Sequence, residues 1–290
     1  MKNVIVTGAN GQLGLSIKDI SQSILGFNFI FLSHKDLNVS SKEDVEAYFE
    51  INKIAFCINC AAFTNVDKSE EFKETSKEVN ADAPHYLALA CKAKGTVLIH
   101  VSTDFVFDGE KSTPYVEDDI TKPLGVYGKT KLKGELAVLN TMPNCFIIRT
   151  SWLYSEYKHN FLKTMMRLAN KREKISVVYD QVGTPTYTKD LAKFIISLIV
   201  TESKQYGTYH YSNEGVASWY DFALAIFEES NANVKVLPIT SECYPTLAKR
   251  PSYSVLNKKK VRETFGITIP YWRTSLKNCF EALKKDESKS

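Results

Sequence analysis

Val4-Ile5-Val6-Thr7-Gly8-Ala9-Asn10-Gly11-Gln12-Leu13-Gly14 decides the fold of this chain. An apolar strand runs into glycines at 8, 11 and 14, and the segment from Gln12 to about Ser23 then reads as a helix. Glycine lets the backbone turn tightly and approach a diphosphate, whose charge is favoured at a helix N-terminus. A strand, a GxxGxxG turn and a helix at the start of a chain therefore imply a nucleotide-binding β-α-β unit.

The pattern repeats outward from that turn. Phe27 to Leu32 reads as a second strand, and Ser40 or Ser41, followed by Glu43 and Asp44, caps a helix reaching about Asn52. Strands at Ile54 to Asn59, Val97 to Val101 and Cys145 to Arg149 alternate with helices at about Thr75 to Lys94, interrupted at Pro84, and Tyr127 to Asn140. Strands apolar on both faces belong to a parallel sheet covered by helices, joined by right-handed crossovers. The expected fold is α/β, a Rossmann-type doubly wound parallel sheet over residues 1–150. A smaller C-terminal α/β substrate lobe follows over 151–290, with some segments returning to the first domain. Its helices fall near 159–170, 188–202, 218–229 and 272–285, between loops rich in glycine and proline.

Composition narrows the function classes. The net charge of +4 over 290 residues is spread along the chain, without a basic aromatic stripe, which suits an anionic small ligand and argues against nucleic acid. Lys258-Lys259-Lys260 and the tail from Lys284 read as solvated charge. No apolar run approaches the roughly 20 residues that span a bilayer, so no membrane partner is expected. Cys57 and Cys60 form a CxxC, but residues three apart on a strand face opposite sides. They are expected to be buried thiols of a reducing, cytoplasmic protein rather than a redox or metal pair.

Two further features carry chemistry. Tyr127 and Lys131 stand at i and i+4 in a helix, so both side chains can meet one bound molecule. The lysine charge should favour tyrosinate and bring the phenol toward neutrality, where proton transfer is efficient. Thr103, in Ser102-Thr103-Asp104-Phe105, lies at the carboxyl end of the fourth strand, where ligands bind such sheets. Gly128-Lys129-Thr130 imitates the end of a phosphate loop, yet position 123 is proline and no apolar strand precedes it, so ATP is not expected there. At the end of the second strand, Ser33, His34 and Lys35 precede Asp36, an order that favours a 2′-phosphate and hence NADPH, with NADH usable.

These features resemble the extended short-chain dehydrogenase/reductases. The collinear blocks Asn59-Cys60-Ala61-Ala62-Phe63-Thr64-Asn65-Val66-Asp67, Val79-Asn80, Ser102 to Gly109, Tyr127 to Lys131, Arg149 to Tyr154, Asp180 to Thr186 and Lys249-Arg250-Pro251 resemble, more closely, dTDP-4-dehydrorhamnose reductases. The resemblance implies reduction of dTDP-4-dehydro-L-rhamnose to dTDP-L-rhamnose. Tyr127 would give the proton, Lys131 would tune it and hold the nicotinamide ribose, and Thr103 would hydrogen-bond the reacting oxygen. It implies a cofactor cradle of Gly8, Asn10, Gly11, Gln12, Leu13, Gly14, Ser33, Asp36, Leu37, Ala61, Ala62, Phe63 and Val101, together with Tyr127 and Lys131. Substrate contacts would come from Thr103, Asp104, Trp152 and Arg250, the last to a diphosphate. Some relatives form a homodimer through a Mg2+ site of acidic residues; no such cluster is evident in the sequence, and no metal is assigned. Dehydratases of this fold read Thr-Asp-Glu where this chain has Thr103-Asp104-Phe105, so elimination lacks its second carboxylate. Reductases or epimerases of another nucleotide sugar and non-catalytic regulatory subunits of the same fold are the remaining alternatives.

Overall fold

A computed structural model describes residues 1–287; of the tail read as solvated charge, residues 288–290 lie outside the described part. The first unit is β1 (Lys2–Thr7), α1 (Gln12–Ser21) and β2 (Phe27–Leu32). Then come α2 (Lys42–Ile51), β3 (Phe56–Asn59), the short helices α3 (Val66–Glu71) and α4 (Lys73–Lys77), and α5 (Ala83–Lys94). As expected, Ser41 caps α2 by accepting the Asp44 N–H. Pro84 does not break the long helix outright. A wide turn over Glu78–Asp82 inserts just before it and absorbs the missing N–H and the clash with the preceding turn.

The unit closes with β4 (Val97–Thr103), α6 (Val126–Thr141) and β5 (Phe146–Thr150). Beyond it lie β6 (Leu153–Tyr154), α7 (Phe161–Ala169), β7 (Lys174–Val178), β8 (Val182–Gly183), β9 (Thr186–Tyr187), α8 (Thr188–Val200) and β10 (Gly207–His210). The chain ends through β11 (Ala217–Ser218), α9 (Trp219–Ser230), β12 (Lys235–Ile239), α10 (Lys259–Phe265) and α11 (Trp272–Glu287).

Six parallel strands form the main sheet, in the order β10-β5-β4-β3-β1-β2. Strand alternation sorts its side chains. Val4, Val6, Ile58, Ile99 and Ile148 pack on one face with Ile17 of α1 and Leu191 and Ile195 of α8. Ile5, Cys57, Leu98 and Ile147 pack on the other with Phe49, Leu87 and Val138. Cys57 and Cys60 thus join opposite cores, as the strand reading required.

The sixth strand, β10, comes from far beyond residue 150, and α8 and α10 pack with it on the first face. Between these returns, α7, α9 and α11 enclose a separate core. Lys258 corrects the reading of its lysine run as solvated charge: it is only 6% exposed, near Glu214. Lys260 likewise is engaged, donating to the Thr208 carbonyl above the Tyr209 ring.

Candidate active site

Strand order reverses between β1 and β3, and a sheet of this kind opens a crevice at the carboxyl ends of its strands there. A cleft of about 660 Å³ opens at that end, reaching from the glycine turn to the second lobe. Gly8 has φ +64, and a Cβ there would come within 2.6 Å of the Ala61 amide; one at Gly14 would meet the Gly8 and Ala9 carbonyls at 2.7 Å. Only glycine closes this turn. The first turn of α1 has no side-chain cap, so its N–H groups are left for an anion. A cradle of this build fits the diphosphate of a dinucleotide.

Polar side chains fix the strand ends around it. Asn59 accepts from Thr7 and from the Ala61 amide and bonds the buried His100 ring. Asn80 grips the backbone of Phe63 through both its amide and its carbonyl. At the end of β2 the carboxylate of Asp36 accepts the Ser33 amide and hydroxyl, which lowers its pKa and leaves His34 and Lys35 as the exposed basic groups there.

The cleft gathers Gly8, Gly11, Gln12, Leu13, Gly14, Ala62, Val101, Thr103, Asp104, Tyr127, Lys131, Trp152 and Arg250 from the expected site. Its lining does not include Asn10, Ser33, Asp36, Leu37, Ala61 or Phe63. Ser33 and Asp36 stand at the end of β2, and the side chain of Leu37 is in the second core. Cys60, Ser102, Thr150 and Gln181, which lie in the family-like blocks but have no expected site role, also line it, as do Lys158, His159, Trp219 and Ser254, which no block contains. Nothing in the local pattern of these last four signals it.

Tyr127 and Lys131 do share one face of α6. Gly128 lets that helix approach the turn after β4, since a Cβ there would come within 2.2 Å of the Phe105 carbonyl. The Phe105 ring meets the Tyr127 ring edge-on at 5.7 Å. Thr103 hydrogen-bonds the phenol and also donates to the Asp104 carboxylate at 3.0 Å. Lys131 is buried, and its Nζ donates to the Val101 carbonyl at 2.7 Å.

The expected lowering of the phenol pKa is overturned. Burial pushes Tyr127 up to about 12, with the Asp104 charge adding to it and only the Thr103 bond opposing. Burial likewise brings Lys131 down to about 8, against the charges of Glu135 and Cys60. Desolvation dominates, and the Lys131 charge on which the sequence reading relied is not among the influences that set the phenol. The protein alone thus holds Tyr127 as a neutral phenol, a proton donor rather than a base.

Asp104 is 2% exposed and burial raises it to about 6, although Ser254 and Thr103 bond to it. Its Oδ2, the Ser102 hydroxyl and the Thr150 hydroxyl have no protein partner. Trp152 takes a left-handed backbone (φ +45) and stacks on Trp219 at 3.5 Å, forming an aromatic wall of the cleft. Arg250 is held at the rim by Asp67 at 2.7 Å. Among the described residues, no three His, Cys, Asp or Glu side chains gather into a metal cage.

Residues 1–285 match the family described as RmlD substrate binding domain. A dTDP-4-dehydrorhamnose reductase of Aggregatibacter actinomycetemcomitans is 43% identical over 96% of this chain and 98% of its own length. The crystal structure of a dTDP-4-dehydrorhamnose reductase from Clostridium acetobutylicum has a TM-score of 0.94 at 41% identity, covering 97% of this chain and 99% of that one. That of the Bacillus anthracis enzyme, in complex with NADP, has a TM-score of 0.93 at 38% identity, over 97% of this chain and all (100%) of that one. The chain belongs to the RmlD family, the family of the dTDP-4-dehydrorhamnose reductases.

Proposed function

We infer that this protein reduces the 4-keto group of dTDP-4-dehydro-L-rhamnose to give dTDP-L-rhamnose, with NADPH as reductant and NADH as a usable substitute. The observation that carries the reading is the convergence of Tyr127, Thr103 and Lys131 in the cleft that the glycine cradle opens. Bound at the cradle, the reduced nicotinamide supplies the hydride; the rest is done by side chains.

A phenol held near 12 keeps its proton at neutral pH, and gives it up only as negative charge develops on the carbonyl oxygen of the substrate. Thr103 lies against that phenol and carries a single hydroxyl proton, shared between Asp104 and the reacting oxygen. Lys131, beneath, supplies positive charge that stabilises the tyrosinate left behind. Asp104 offers Oδ2 to a sugar hydroxyl, Trp152 offers its face to the sugar or base, and Arg250 turns its fork to the diphosphate.

The Bacillus anthracis complex supports NADP(H) as the cofactor, and His34 and Lys35 beside the end of β2 favour the 2′-phosphate. No helix among the described residues is long and apolar enough to cross a membrane. Six free thiols suit the cytoplasm. The test is loss of NADPH absorbance on adding the keto-sugar nucleotide, set against UDP- and GDP-linked keto sugars. A Tyr127→Phe protein that kept the rate would break the reading.

A further inference from the structure

We propose that Lys158 is a cofactor-binding residue whose ammonium meets the diphosphate of the nicotinamide dinucleotide from the side facing the α1 N-terminus. This rests on the NADPH reading above. The loop between β6 and α7, residues 155–160, belongs by sequence to the second half of the chain, yet it is fastened to α1. The Gln12 side-chain oxygen accepts from the Ser155 hydroxyl and from the Asn160 amide, each at 2.9 Å. Tyr157 donates to Asp19, also on α1. Asn160 then caps α7 through the Lys163 amide and holds the loop closed on the carbonyls of Ser155 and Tyr157.

Between these anchors Lys158 and His159 are exposed and line the same cleft as Gly8, Gly11 and Leu13. Lys158 has φ +53. A non-glycine residue in that region is strained, and glycine would sit there without strain.

The charges of the cleft single out Lys158. Lys131 is buried against the Val101 carbonyl, and Arg250 is paired with Asp67. The acids beside the loop, Glu156 and Asp19, are both engaged by Lys189. Among the described residues Lys158 is the lysine or arginine of the cleft lining whose side chain has neither a hydrogen bond nor an ion pair. Uncapped α1 N–H groups supply only a partial charge toward a dianion, and a mobile ammonium opposite them completes the neutralisation. Arg250, tied to Asp67 on α3, is left for the substrate, so the two cations would divide the two diphosphates between cofactor and substrate.

Lys158→Gly tests this without straining the fold, and Lys158→Arg restores the charge. NADPH binding is titrated by tryptophan fluorescence on the full chain at low and high salt. Lys158→Gly is expected to weaken the NADPH Kd about tenfold at low salt, the effect of one charged hydrogen bond. The difference should shrink at high salt, Lys158→Arg should bind within about twofold of the parent, and the KM for the sugar nucleotide should move by less than about twofold. An NADPH Kd unchanged in Lys158→Gly would overturn the proposal, as would a loss that falls on the sugar-nucleotide KM instead. Failure of the unaltered protein to bind NADPH would refute the cofactor reading itself.

Discussion

Helix α6 carries two buried polar clusters one turn apart, and they are built by opposite rules. At Glu135 every charge is answered. Arg149 donates from Nε to both carboxylate oxygens at 3.1 and 3.2 Å, from Nη2 at 2.8 Å, and from Nη1 to the Glu117 carbonyl at 3.1 Å. The Phe107 ring lies 5.2 Å from the same guanidinium. One turn earlier, around Tyr127 and Lys131, the protein leaves Asp104 Oδ2 and the Ser102 and Thr150 hydroxyls unanswered. An unmade buried hydrogen bond costs about 1–3 kcal/mol. Full satisfaction marks the cluster that holds α6 to β5; incomplete satisfaction marks the one that the proposed substrate would complete.

The largest effects should separate the two clusters cleanly. Tyr127→Phe is expected to cut keto-sugar reduction about 10³-fold or more while leaving the urea midpoint within experimental scatter, since the ring and its contact with Phe105 survive. Arg149→Ala should do the reverse in kind. It strands Glu135, 1% exposed, without its partner, and breaking a buried pair from one side costs about 3–5 kcal/mol. Chemical denaturation measures it. A stable Arg149→Ala protein, or an unstable Tyr127→Phe, would mean that the two clusters are not built as described.

The same contrast explains what was legible in the chain. Strands β1 to β5 could be read because they are apolar on both faces and glycines or caps punctuate them. Gly207-Thr208-Tyr209-His210 could not, since its strand state comes from pairing with β5 in register with Phe146 to Arg149. Tyr127, Lys131 and Thr103 could be read because one lies at a strand end and two at helical spacing. Their pKa values could not, because these depend on how much water the fold removes. A charge four residues away is visible in sequence, whereas the burial that sets the phenol is not. Lys158, Trp219 and Ser254 reach the cleft through the tertiary path of loops and the second lobe, which no local pattern encodes. Arg149 could be quoted as part of a family block, but its partner Glu135 had no signal beyond helix position.

A smaller effect, of opposite sign, is expected at Asp104. Its carboxyl stands near 6 in the fold against an ordinary value of 3.8. A raised acid binds its proton more tightly folded than unfolded. Stability is therefore unaffected by this group below about pH 4, falls as pH climbs through 6, and stays reduced above. Asp104→Asn should remove that penalty, raising stability at pH 7.5 by on the order of 2 kcal/mol with no gain at pH 4, while the turnover falls. Denaturation at the two pH values measures it. A gain equal at both would place the cause elsewhere than ionisation.

The smallest expected effect tests whether the clusters are independent at all. Burial lowers Lys131 to about 8, and the Glu135 charge is the main influence holding it that high. On the proposed mechanism the ammonium must be charged, so reduction should decline as pH rises through about 8; the phenol, near 12, stays protonated over the same range. Glu135→Gln keeps the shape of the carboxylate and part of its bonding to Arg149 but withdraws the charge. The alkaline limb of kcat/KM should then move to lower pH. A limb that did not move would assign Glu135 to holding Arg149 alone. A shift would show that the satisfied cluster also sets the protonation of the unsatisfied one, through a single helical turn between Lys131 and Glu135.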